Sequence, residues 1–117
     1  MPSVPIDRVI EEVRRALKRG DIVRTVGMVR ELVRQARQDP RTRHLQAITA
    51  LEFGQARDAV ALLETLIFEL TGDPLREATV DLARAREMQG DLENALLTLR
   101  PELESDDTPP AAIASAA

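Results

Sequence analysis

Three glycines measure out the chain. Gly20, Gly54 and Gly90 recur with a period of roughly 34 residues, the length of a unit built from two helices. The dipeptide Asp39-Pro40 returns as Asp73-Pro74 at the same interval that separates Gly20 from Gly54. Gly90 follows Gly54 at an interval longer by two positions. A helical hairpin of this size cannot bury its apolar face alone, so neighbouring units must stack. The register after each glycine agrees. Two residues on stand Ile22, Ala56 and Leu92, and five on stand Thr25, Ala59 and Ala95. Six on stand Val26, Val60 and Leu96, nine on stand Val29, Leu63 and Leu99, and twelve on stand Leu32, Leu66 and Glu102. The small residue at the fifth place marks where a second helix must approach the first closely. The larger ones fill the layer between neighbouring hairpins.

The pieces between these marks have helical periodicity. Ile6, Val9, Ile10, Val13, Ala16 and Leu17 recur at steps of three and four, which is one face of a helix. Gly20 ends that helix as a residue able to take positive φ, and Asp21 caps the next. The second helix runs to Asp39-Pro40, where proline suits the first turn of a third. The third is expected over about 41–53 and the fourth over about 56–71, stopping at Gly72-Asp73-Pro74. The fifth is expected over about 75–89, and the sixth starts at Leu92 and is broken or kinked at Pro101. No segment alternates apolar and polar residues over strand length, so no sheet is expected. The predicted fold is all-α, an α-α superhelix of three stacked helical hairpins with about six antiparallel helices. Its repeats are about 6–39, 40–73 and 74–104, after a short lead at 1–5. Residues 105–117, acidic and then rich in Pro and Ala, are expected to form a disordered tail or linker.

Composition removes several functions. With two Phe and no Trp or Tyr, there is no aromatic platform for single-stranded nucleic acid. The basic residues Arg14, Arg15, Lys18 and Arg19 are interleaved with Glu11 and Glu12, and the pI is about 5.0, so nucleic acid is not an expected partner. No cysteine is present, which excludes thiolate metal sites and a cysteine nucleophile, and His44, the single histidine, has no second soft ligand, so it is expected to be a groove-lining or surface residue and no metal is expected. Ser3, Ser105 and Ser115 all lie near the termini, and the acid pairs Glu11-Glu12 and Asp106-Asp107 are adjacent rather than convergent. No glycine-rich phosphate loop occurs. Neither an enzyme nor a bound cofactor is expected. No basic-then-apolar leader pattern opens the chain, and no apolar run approaches the roughly 20 residues of a membrane span, so no membrane role and a cytoplasmic setting are expected. Fifteen of the sixteen basic residues are Arg, which points to a GC-rich bacterial genome. Charge is polarised along the chain. Residues 1–45 carry a net +5 and residues 46–117 a net −9. The tripeptide Arg19-Gly20-Asp21 has the spelling of an adhesion motif, but only its glycine recurs at Gly54 and Gly90, which marks it as an inter-helix turn.

The stretches FGQARDAVALLETLIFELTGDP (53–74) and QGDLENALLTL (89–99) resemble the tetratricopeptide repeat family. That family has a Gly between its two helices, an Ala five residues later and a Pro closing the unit. Here the typical aromatics are missing and Thr25 replaces the small Ala. Pro follows Gly by 20 residues (Gly20 to Pro40, Gly54 to Pro74), later than is usual, so second helices about one turn longer are expected. The resemblance implies a right-handed stack whose first helices line a concave groove for peptides or protein segments. By register with the family, groove residues would be Arg14 and Lys18 in the first hairpin, Arg41, His44 and Ile48 in the second, and Val80, Arg84 and Glu87 in the third. Such a groove would be mostly basic and would suit an acidic or C-terminal peptide. The Lys/Asn arrangement of chaperone-binding members is not matched. The expected function is a protein-protein interaction scaffold. The alternative is a homo-oligomeric assembly element or an accessory module of a larger assembly, since Leu92, Leu96, Leu99 and Leu103 have no following helix to cover them.

Overall fold

The computed structural model describes residues 5–103, with side chains through Arg100. Its six helices are α1 (Ile6–Arg19), α2 (Ile22–Ala36), α3 (Pro40–Glu52), α4 (Ala56–Leu66), α5 (Gly72–Met88) and α6 (Leu92–Leu103), and no strand occurs among the described residues. Residues 1–4 and 104–117, which include most of the expected lead and all of the expected tail, lie outside that span.

The hairpins are made by one turn used three times. Gly20, Gly54 and Gly90 have φ of 72°, 73° and 80°, a left-handed conformation that glycine adopts without a Cβ clash. In each case the glycine N–H donates to the carbonyl three residues back (Leu17, Leu51, Glu87), at 3.1, 3.0 and 2.9 Å. The next residue donates five residues back, from Asp21 to Ala16, Gln55 to Ala50 and Asp91 to Arg86, at 3.0, 2.8 and 2.9 Å. These paired bonds satisfy the last carbonyls of the first helix and reverse the chain. Asp21 and Asp91 then cap the second helices, accepting from the N–H of Arg24 at 3.2 Å and of Asn94 at 3.3 Å. Asp39 caps α3 by accepting from the Arg41 N–H at 2.9 Å, with Pro40 in the first turn.

The register places burial as expected. Thr25, Ala59 and Ala95, five residues after each glycine, are all buried. Thr25 keeps its hydroxyl satisfied there by donating to the Asp21 carbonyl at 2.8 Å, so a Thr tolerates the site that Ala occupies elsewhere. Two apolar clusters form the core. One joins Ile10 and Val13 of α1 to Val29 and Leu32 of α2 and Leu45 of α3. The other joins Ala47, Ala50 and Leu51 of α3 to Ala59, Leu63 and Leu66 of α4 and Ala78, Leu82 and Ala85 of α5. Every helix packs on the next. In addition α1 touches α3 and α3 touches α5, whereas α2, α4 and α6 do not touch one another. The first helices therefore form the tighter, inner row and the second helices splay on the outside.

Three helix limits depart from expectation. α4 ends at Leu66 and does not run on to 71, so it is 11 residues long and not extended by a turn, whereas α2 reaches 15. Residues 67–69 instead close a tight turn, with the N–H of Glu69 and of Leu70 both donating to the Leu66 carbonyl, at 2.9 and 3.1 Å. The turn is held from outside. Arg43 of α3 grips the Glu69 carboxylate with both terminal nitrogens, at 2.6 and 2.7 Å. That charge-assisted hydrogen bond holds Glu69 below the usual carboxylate range. The shortened α4 frees the chain to begin α5 earlier, at Gly72, with Asp73-Pro74 inside its first turn. Finally, α6 continues past Pro101 to Leu103, so proline does not end it.

Candidate binding cleft

The inner row opens between α3 and α5 into a cleft of about 430 Å³, lined by His44, Ile48, Arg76, Glu77, Val80 and Asp81. His44 sits one repeat after Ile10, at a place where the first unit buries an apolar side chain. It is buried too, and its polarity is answered by α5. The ring donates through Nε2 to the Asp81 carboxylate at 2.8 Å. A buried imidazole with this partner is satisfied rather than exposed. Ile48, one turn further along α3, is half-buried, and Val80 of α5 is 51% exposed, so the cleft offers a wettable apolar surface beside the His44–Asp81 pair.

Of the eight expected groove residues, the structure brings three together here: His44, Ile48 and Val80. Arg41 is exposed but braced. It donates to Asp39 at 3.1 and 2.9 Å and to Asp7 of α1 at 2.5 Å, which ties the starts of α1 and α3 together across one repeat. The hydrogen bonds to Asp39 and then Asp7 push its basicity up, and the bond from Arg41 holds Asp39 down. Arg14 and Lys18 are exposed on α1, and Arg84 and Glu87 on α5, none of them lining the cleft. The cleft is consequently not mostly basic. Glu77, Asp81 and Arg76, which the family register did not select, give it both signs.

A second cleft, of about 460 Å³, opens on the outside between α2 and α4, with Gln46, Thr49 and Ala50 of α3 lining it between them. Its apolar walls include Val29, Val33, Ala50 and Leu62, which belong to the two core clusters seen through the gap between splayed helices. Each cleft presents one valine outside both clusters, and they differ in exposure: Val80 of the inner cleft is exposed, whereas Val26 of the outer cleft is half-buried.

At the end of the stack, Leu92 and Leu96 are exposed, Leu99 is half-buried, and the side chain of Leu103 lies outside the described residues. Leu97, which the spacing argument does not single out, is 52% exposed as well. Among the described residues no group of three or more His, Cys, Asp or Glu could hold a metal, and no helix is long and apolar enough to cross a membrane.

Fold and cleft together define an all-α stack of three helical hairpins with a small two-sided groove on its inner row. Compared with protein-family models, with curated proteins and with solved structures, the chain finds no match.

Proposed function

We propose that this chain is a divergent tetratricopeptide-type interaction module, and that the α3–α5 cleft holds a short segment of a partner protein. The observation that supports this most is the pairing of exposed Val80 and half-buried Ile48 with charged groups of both signs in one concavity. Small apolar clefts with a few oriented polar groups are where short segments dock. One apolar side chain of the segment would lie on Ile48 and Val80, with Glu77 and Asp81 accepting hydrogen bonds from its backbone or from a cationic neighbour. The expected preference is for a segment mixing charge and an apolar anchor, rather than a purely acidic one. The module binds and does not catalyse. Its proposed setting is the bacterial cytoplasm; the arginine-dominated basic set supports the bacterial part of that reading, and the cysteine-free composition is compatible with a reducing compartment.

The test is selection of a binding peptide from a displayed random library, followed by fluorescence anisotropy on the winner. Val80→Asp is expected to weaken binding at least ten-fold, while Arg84→Glu and the outer-cleft variant Val26→Asp leave it unchanged. Loss on Val26→Asp with Val80→Asp unaffected would place the site on the outer face and overturn the proposal.

A further inference from the structure

We propose that α6 is a homodimerisation helix, pairing antiparallel with α6 of a second copy of this chain. The starting point is a stripe defined by the repeat itself. Counting two, six, nine and thirteen residues after the turn glycine gives Ile22, Val26, Val29 and Val33 in the first unit and Ala56, Val60, Leu63 and Ile67 in the second. All eight are buried or half-buried, because the following hairpin covers them. The same count in the third unit gives Leu92, Leu96, Leu99 and Leu103. Here Leu92 is 61% and Leu96 is 49% exposed. The third unit thus carries the cover-seeking stripe in its most apolar form, with leucine at every place. Residues 104–117 do not offer a matching stripe, since Ile113 is their single large apolar residue and Pro109-Pro110 interrupts them.

A head-to-tail neighbour does not fit. To cover α6 as α3 covers α2, the α1 of another copy would have to present apolar residues where α3 presents Leu45 and Ile48. One repeat earlier those places hold Glu11 and Arg14, both exposed. Burying two such charges against leucine without partners is strongly unfavourable.

The α6 surface does match itself. Leu92, Leu96, Leu99 and Leu103 follow the 4-3-4 spacing of a coiled-coil seam. In an antiparallel pair, position 92 falls opposite position 103, and Leu96 meets Leu99 of the second copy. Ala95, on one flank of the seam, is buried within its own hairpin. The other flank carries Glu93 and Arg100, exposed and one heptad apart. Arg100 already has a partner within its own chain, but its guanidinium carries five N–H donors, and antiparallel pairing places Glu93 of each copy beside Arg100 of the other, so the two-fold arrangement is complementary in charge as well as in shape. This inference does not depend on the α3–α5 cleft.

Sedimentation velocity on the full chain is expected to show a species of twice the 13.0 kDa chain mass at micromolar to hundred-micromolar concentration. Leu96→Glu should convert it to monomer with its far-ultraviolet circular dichroism unchanged. The register is tested without touching an apolar residue. Glu93→Arg and Arg100→Glu should each shift the dimer dissociation constant upward at least ten-fold, and an equimolar mixture of the two should recover a mixed dimer. A chain that stays monomeric across this range overturns the proposal, as does a dimer indifferent to Leu96→Glu. Failure of the mixture to recover overturns the antiparallel register.

Discussion

Glu11 and Arg14 sit one repeat before Leu45 and Ile48, and Leu92 and Leu96 sit one repeat after Ala56 and Val60. The first pair lies on α1, the first described helix of the stack, and the second on α6, the last. In between, Leu45 is buried and Ile48 half-buried, both packed with Val29 and Leu32. The start has exchanged its apolar contacts for charge and the end has kept them. In a stack where each unit contacts only its neighbours, burial of a residue is decided by whether another unit follows, and not by its own helix.

The difference between the ends can be erased. Glu11→Leu with Arg14→Ile gives α1 the pair that α3 uses against α2. The open start of one copy would then cover the open end of the next, and such a heterologous contact does not close on itself. Sedimentation should show species growing beyond the dimer with concentration, with helical content unchanged. If the variant remains no larger than the parent chain, the charges at 11 and 14 are not what caps the start.

A second contrast follows within one register. Leu63 is fully buried between α3, α4 and α5, whereas Leu92 is largely exposed at the end of the stack. Leu63→Ala should lower unfolding free energy by about 2–5 kcal/mol through lost transfer energy and the cavity left behind. Leu92→Ala, measured by urea at concentrations where the chain is monomeric, should change it by about 0.5 kcal/mol or less. Equal costs would mean that the end of the stack is packed as tightly as its middle.

Much of this fold is readable before any coordinates, because it rests on repetition. Gly20, Gly54 and Gly90 each mark a turn closed by the same two backbone bonds, and the fifth residue after each is buried. What escapes depends on partners distant in the chain. α4 stops early at a turn that Arg43, 26 residues from Glu69, grips from α3, and no local propensity announces that contact. The register puts His44 in the groove, and it does line it, but it is buried, because its partner Asp81 comes from the next unit. Arg84 and Glu87 share the helix face of Glu77 and Val80 but lie about one and two turns farther along α5, beyond the cleft. Pro74 keeps the repeat interval from Pro40, whereas Gly90 falls two positions late relative to Gly54. Two extra residues are therefore accommodated within α5, and its faces cannot be carried over from α3 by one fixed offset. Leu97 lies off the 4-3-4 spacing and gives no periodic signal.

The turns allow a smaller comparison. Asp21, Gln55 and Asp91 occupy one position, immediately after the three glycines, yet only the aspartates cap the following helix through their side chains. Asp21→Ala should cost about 1 kcal/mol, and Gln55→Asp should add about 0.5–1 kcal/mol by supplying the missing acceptor to the first turn of α4. Thermal or urea unfolding reads both. A Gln55→Asp variant no more stable than its parent would mean that the orphan N–H groups of α4 are already satisfied by water.

The last contrast is between carboxylates held by cations and one held by a neutral side chain. Asp39 and Glu69 are depressed chiefly by hydrogen bonds from Arg41 and Arg43, and Asp91 by those from Asn94. A carboxylate whose folded pKa lies below its unfolded one stabilises the fold at all pH above the unfolded value. That contribution is lost as pH falls through the folded one. Stability is therefore expected to be level through neutral pH and to drop below about pH 4, where unfolded carboxylates begin to take up protons. Arg41 holds Asp39 at the start of α3, and Arg43 holds Glu69 within the second unit, joining α3 to the turn after α4, so acid should loosen the entry to α3 and that turn first. Both pairs are partly exposed, so salt should reduce the effect. Thermal midpoints between pH 3 and 6 measure it. Asp39→Asn with Glu69→Gln should flatten the acid slope more than Asp91→Asn does. The reverse ranking would assign the acid sensitivity to the cap of α6 rather than to the arginine-held pairs.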